Sequence, residues 1–156
     1  MTTIAAYNGR DIDLAAYHGM QPGGERLLTQ ELVGVDHGGR IVAGIQKLAQ
    51  RFLVLLLTES GSVAHFPNKG CEFLTDARTG EFQAPLDIFT SFSSALVDIE
   101  RQLRAAEDVT DPDDERFESA EVLRVTLSNS SASIRVQVNS RAGSNYTFLT
   151  PIPIGV

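Results

Sequence analysis

Three β-segments of strict alternation fill the stretch from Val122 to Ile154, and no other feature limits the fold of this chain so tightly. They run over residues 122–128, 132–139 and 145–154, separated by turn-forming Asn129, Ser130 and Ser131 and by Arg141, Ala142, Gly143 and Ser144. A period of two puts Leu123, Val125 and Leu127 with Ile134, Val136 and Val138 on one face. Arg124, Thr126, Ser133, Arg135 and Gln137 fall on the other. The pattern predicts an antiparallel meander with one buried and one wet face. Its edges carry unpaired N–H and C=O groups to which another chain's strand can add. Pro151 and Pro153 remove two ladder donors from the same side of the last segment. If that strand pairs inward through its other residues, the prolines guard its free side; otherwise residues 151–156 form a tail that reaches a partner.

Two helices precede the sheet. Ile41, Ile45, Leu48, Phe52 and Leu55 or Leu56 recur at intervals of three and four, with Gln46, Lys47, Gln50 and Arg51 opposite, which predicts a helix over about 40–57. Gly61 then suits the turn that ends it. Pro85 opens a second helical run, in which Leu86, Phe89, Ser93, Leu96, Ile99 and Leu103 keep the same spacing to about Ala106 or Glu107. The connector over 58–85 is loop-rich and holds one short helix near Cys71 to Asp76. The acidic segment from Asp108 to Glu115 reads as a solvated loop, with docking of a basic partner as the other reading.

Residues 1–39 differ from the rest. Asn8-Gly9, His18-Gly19, Pro22-Gly23-Gly24 and His37-Gly38-Gly39 interrupt the chain every few residues, and ordering each glycine costs extra backbone entropy. The expectation is an extended arm over 1–39 followed by one domain over 40–156. The fold class is α+β: two amphipathic helices packed on a small antiparallel three-stranded C-terminal sheet.

With 156 residues, 42% of them hydrophobic, the chain suffices for one core. Thirteen basic against twenty acidic residues give a net charge of −7, which argues against nucleic acid or an anionic membrane as partner. The longest apolar run, Phe52 to Leu57, is far short of the roughly 20 residues a bilayer span needs. A single cysteine and no signal-peptide pattern point to reducing cytosol.

Catalytic constellations are weak. Glu59, Glu72, Asp76 and Glu81 are the loop carboxylates from which a two-carboxylate hydrolase, with groups about 5–9.5 Å apart, would have to draw. Cys71 and His65 have no local nucleophile signature around them. His18, His37 and His65 lie too far apart for a metal-ligand motif, and the Gly-Gly pairs lack the Gly-Lys-Ser/Thr of a phosphate loop. The expectation is therefore no catalysis, no cofactor and no metal.

The stretch from Gly44 to Thr58, then Gly61, Phe66-Pro67 and Gly70, resembles the helix-to-loop segment of the phage baseplate wedge and sheath-initiator family, sometimes labelled "lysozyme-like". That family shows an amphipathic helix with I-x-x-L, a T-x-x-G turn and an extended F-x-P-x-x-G stretch. Thr58 and Gly61 match the turn, the order of second helix and meander also matches, and the resemblance spans about 40–154. The family's Glu-Pro-Arg triplet is absent; Glu115-Arg116 stands in that region without a proline.

The resemblance implies a virion protein of a contractile tail baseplate, assembled in the host cytoplasm, whose sheet is joined by the tail sheath protein through strand addition. Baseplate wedge proteins and tail tube or hub neighbours would be its other partners. The expected contact residues are Tyr146, Phe148, Ile152 and Ile154, with Arg135 and Arg141 as charged contacts; for Phe148 the competing reading is ordinary sheet core. A tail-associated peptidoglycan hydrolase and a cytosolic adaptor that binds by strand addition are the alternatives. A cell-wall turbidity assay separates the first, and gene neighbourhood the second.

Overall fold

The computed structural model describes residues 13–14, 41–128 and 130–154. Their architecture is α+β, with three helices on one face of a three-stranded antiparallel sheet. The order is β1 (Asp13–Leu14), β2 (Ile41–Val42), α1 (Ile45–Leu56), α2 (Phe73–Arg78), α3 (Pro85–Ala105), β3 (Phe117–Leu127), β4 (Ser131–Ser140) and β5 (Asn145–Pro153). The expected arm over 1–39 lies outside the described residues except for β1, which pairs antiparallel with β2.

Helix α1 starts at Ile45 rather than near residue 40. Ile41 and Val42 are strand, and Gly44 at the N-cap takes φ 61°, a conformation its missing Cβ makes accessible. The helix buries Leu48, Ala49, Phe52, Leu53, Leu55 and Leu56. Helix α3 begins at Pro85 as the sequence predicts, with the Asp87 carboxylate accepting the N–H groups of Ala84 (2.7 Å) and Gln83 (3.0 Å).

The inward stripe of α3 keeps Ile99 and Leu103 of the predicted set, with Leu96 packed against the core, but leaves Leu86, Phe89 and Ser93 outside it. Ile88, Phe92, Ala95, Ile99 and Leu103 are buried, while Leu86 and Phe89 are exposed. At about 100° per residue the observed set lies within an arc of about 80° over the whole length of the helix, whereas the full predicted set, Leu86, Phe89, Ser93, Leu96, Ile99 and Leu103, spreads over about 140°. The short helix α2 stands where the connector was expected to hold one, and buries Phe73 and Ala77.

The sheet order is β3-β4-β5. Strand β4 is central and alternates along its whole length, with Ala132, Ile134, Val136 and Val138 fully buried. Helix α3 lies against β3, α1 against β4 and β5, and α2 against α3 and β5. Six of the eight phenylalanines knit these layers. The Phe52 ring meets Phe92 (6.1 Å between centroids), Phe117 (6.0 Å) and Phe148 (6.4 Å), and Phe73 meets Phe82 (5.4 Å) and Phe92 (6.2 Å). Such tilted and offset pairs each add about 0.5–1.5 kcal/mol beyond burial.

Strand β3 corrects the predicted face assignment. Its register shifts between Phe117 and Ser119 and again between Val122 and Arg124. The second bulge throws Leu123 outward, 47% exposed, and puts Val122 opposite Val136 in its place. Phe117, Ala120, Val122, Val125 and Leu127 thus all belong to the core or pack against it.

Candidate functional site

Among the described residues both edges of the three-stranded sheet are unpaired, and they differ in kind. The β3 edge is interrupted by its two bulges, which twist and break a ladder. The β5 edge is regular: nine consecutive residue pairs join it to β4 without a shift, from Asn139 opposite Asn145 to Ser131 opposite Pro153.

The hydrogen bonds orient β5. The Ile154 N–H donates to the Ser130 carbonyl (3.2 Å), toward β4, so alternation turns the N–H groups of Tyr146, Phe148, Thr150 and Ile152 the same way. Those of Asn145, Thr147 and Leu149 then point away from the sheet. Pro151 and Pro153 fall in this outward set, where a missing donor costs the inner ladder nothing. The prolines therefore guard the free side, and residues 151–154 run along β4 instead of forming a tail. The open site is a run of three N–H groups at Asn145, Thr147 and Leu149 with their carbonyls, closed at its C-terminal end by proline.

The turn that launches β5 is built locally. Gly143 takes φ +78° and donates to the Ser140 carbonyl (2.9 Å), and the Ser140 N–H reaches the Ser144 carbonyl (2.9 Å). From beneath, the Ala142 N–H meets the Asp113 carbonyl (3.1 Å) and the Arg141 N–H the Arg116 carbonyl (3.0 Å), which ties the turn to the acidic loop. Arg116 closes that loop on itself through Asp113 (3.3 Å) and the carbonyls of Asp108 (3.1 Å) and Val109 (2.7 Å). Hydrogen bonds from the Thr110 N–H and hydroxyl hold the Asp108 carboxyl below its usual pKa.

The six predicted contact residues separate into two groups. Phe148 and Ile152 are buried in the chain's own core, and Tyr146 and Ile154 pack partly buried against it. These four side chains line the face under the helices, because the inward N–H set and the inward side-chain set coincide in this register. What β5 offers a second chain is its backbone and the outward Thr147 and Leu149. Removing β5 would empty the core of Phe148 and Ile152, so truncation is no clean probe of the edge. Arg135 stands on the wet face between Arg124 and Leu149. Arg141 pairs with Glu107 of its own chain (3.0 Å), whose other oxygen accepts the Phe117 N–H (3.0 Å).

Glu115 is a residue the sequence did not single out for its chemistry. Its side chain is almost wholly buried, with Oε1 accepting the Gly44 N–H (3.0 Å) at the start of α1 and Oε2 accepting Lys47 Nζ (2.8 Å). One carboxylate thus anchors the entry to β3 on the first turn of α1, where a negative charge also suits the helix dipole.

The catalytic candidates come together only in part: Asp76 and Glu81 line one open pocket of about 310 Å³ with Asp87, Thr90 and Ser91. The Cys71 thiol is buried, with Sγ 3.6 Å from the carbonyls of Leu55 and Leu56, and burial pushes its pKa up to about 11, away from a nucleophilic thiolate. His65 is exposed on the loop before it. Glu59 pairs with Arg78 (2.7 Å), and Asp76 accepts the Ser91 hydroxyl (2.5 Å). Among the described residues no group of three or more His, Cys, Asp or Glu is placed to hold a metal ion, and no helix is long and apolar enough to cross a membrane. Comparison with known proteins finds no matching family model, no similar curated protein and no similar solved structure.

Proposed function

We propose that this chain is a structural subunit of a contractile phage tail baseplate, a sheath initiator that does no catalysis and nucleates the first sheath ring by accepting a strand on its β5 edge. The tail sheath protein supplies the strand; wedge proteins and tube or hub neighbours hold the subunit elsewhere. The observation that carries the reading is the asymmetry of the sheet. Among the described residues one edge is bulged, and the other is a ladder without register shifts whose open donors at Asn145, Thr147 and Leu149 stop at Pro151. Proline there limits the docked strand to about six residues, since the outward ladder lacks donors beyond Leu149. A defined stop sets register as well as affinity. The resemblance of residues 44–70 to the baseplate family supplies the assembly context.

Thr147→Pro tests the reading. It deletes one outward donor, on an edge strand that tolerates proline, and leaves the inner ladder intact. The expected variant keeps the parent's circular dichroism and thermal midpoint yet yields tails without sheath in electron micrographs. Normal sheathed tails would refute docking at this edge.

A further inference from the structure

Six of the eight phenylalanines build the core; Phe66 is the most exposed of the other two, at 63%. The loop that carries it is held firmly. Its ends close through the Cys71 N–H to the Thr58 carbonyl (2.9 Å) and the Ser60 N–H to the Cys71 carbonyl (3.2 Å), and the Gly61 N–H crosses it to the Pro67 carbonyl (2.8 Å). The Gln102 carboxamide of α3 clamps it from below, accepting the Gly70 N–H (2.9 Å) and donating to the Gly70 carbonyl (2.7 Å). Gly70 itself takes φ +92°, and a Cβ there would lie 2.0 Å from the Thr58 oxygen. A segment fixed this closely presents its aromatic tip as a preformed surface, which lowers the entropy lost when a partner docks.

Beside this tip runs a groove of about 340 Å³ between α1 and α3, lined by Arg51, Val54, Leu55, Lys69, Gln102 and Ala106. Lys69 joins the two features, since its Nζ lies 5.9 Å from the Phe66 ring centroid and its side chain also borders the groove. Val54, 39% exposed, gives the groove an apolar floor. Its charge is out of keeping with the molecule. Lys47, Arg78, Arg101, Arg104, Arg116 and Arg141 each meet a carboxylate of their own chain. Arg51 and Lys69 have no carboxylate partner among the described residues, although the chain carries a net charge of −7.

We infer that the α1–α3 groove and Phe66 together form a docking site for an acidic, apolar-anchored segment of a neighbouring protein. The carboxylates of that segment meet Arg51 and Lys69, and its apolar side chains lie on Val54 and against the Phe66 ring. Aromatic and arginine side chains are the residue types that dominate such contacts. The surface belongs to the helical side of the molecule, so it stands or falls independently of strand docking on β5.

The test screens the full chain against two libraries of short peptides, one built from Asp, Glu, Leu, Phe and Gly, the other with Lys and Arg in place of the acids. The acidic library should yield binders that weaken with salt and shift the amide resonances of Arg51, Val54, Lys69 and Gln102. The pair R51E and K69E, and separately Phe66→Ala, should each raise Kd about tenfold or more at an unchanged thermal midpoint. Failure of both libraries, preference for the basic one, or shifts confined to β5 would overturn the inference. So would a self-associated chain, seen by sedimentation and dispersed by Phe66→Ala, because the occupant would then be a second copy.

Discussion

Replacing Glu115 by Ala removes a carboxylate that serves two donors of α1 at once, the buried Gly44 N–H at 3.0 Å and Lys47 Nζ at 2.8 Å. The Lys47 side chain is only 13% exposed, so the variant leaves an ammonium largely enclosed and a buried amide without an acceptor. Breaking one side of a buried ion pair costs about 3–5 kcal/mol, and the orphaned amide falls within that loss. Lys47 retains some path to water, which places the expected value near the lower end. With an m-value of about 2 kcal/mol/M in urea, a loss of about 3–4 kcal/mol lowers the unfolding midpoint by about 1.5–2 M. Urea titrations followed by circular dichroism measure it, with the slope checked for constancy. The double replacement of Glu115 by Leu and Lys47 by Met should recover part of the loss but not all, because the Gly44 donor still lacks a partner. A single-variant loss under about 1 kcal/mol would refute the view that this pair fastens the start of the sheet to α1.

Phe148→Ala should cost about 3–5 kcal/mol, since the ring is buried against Phe52, and thermal unfolding of the isolated chain would register it without any partner. Gly70→Ala should destabilise the connector loop, with faster amide exchange at Gly61 and Cys71 as its signature, because the new Cβ meets the Thr58 carbonyl. The Cys71 thiol, pushed up to about 11 from 9.0, stays protonated in the folded chain where the unfolded chain ionises. Its contribution to stability is therefore complete below pH 9 and fades as pH rises toward 11, and alkylation at pH 8 should proceed only through unfolding. Equal alkylation rates for native and denatured protein would contradict that.

The sheet was legible because its central strand alternates without a fault, so period two alone identifies Ile134, Val136 and Val138 as core. The helices were legible for the same reason, apart from the phase of α3, where Leu86 and Phe89 compete with Ile88 and Phe92 as the apolar stripe. A bulge leaves no such trace. Nothing in the run Val122-Leu123-Arg124 announces that one residue will be left unpaired, and the slip moves Leu123 from core to solvent. Two prolines at alternate positions announce a guarded edge, but only the register with β4 says which side of β5 they guard. The same register turned four expected contact residues inward. Glu115 and Lys47 are 68 residues apart, and Gly70 and Gln102 are 32 apart, so neither contact follows from local spacing.

Backbone hydrogen exchange on the chain, alone and then mixed with purified tail sheath protein, probes strand docking at the atoms concerned. In the free chain the amides of Thr147 and Leu149 should exchange rapidly while those of Phe148 and Thr150, turned toward β4, exchange slowly. On mixing, Thr147 and Leu149 should become as protected as their inward neighbours. Complex formation that leaves both amides in rapid exchange, with new protection only at other surfaces, would contradict it.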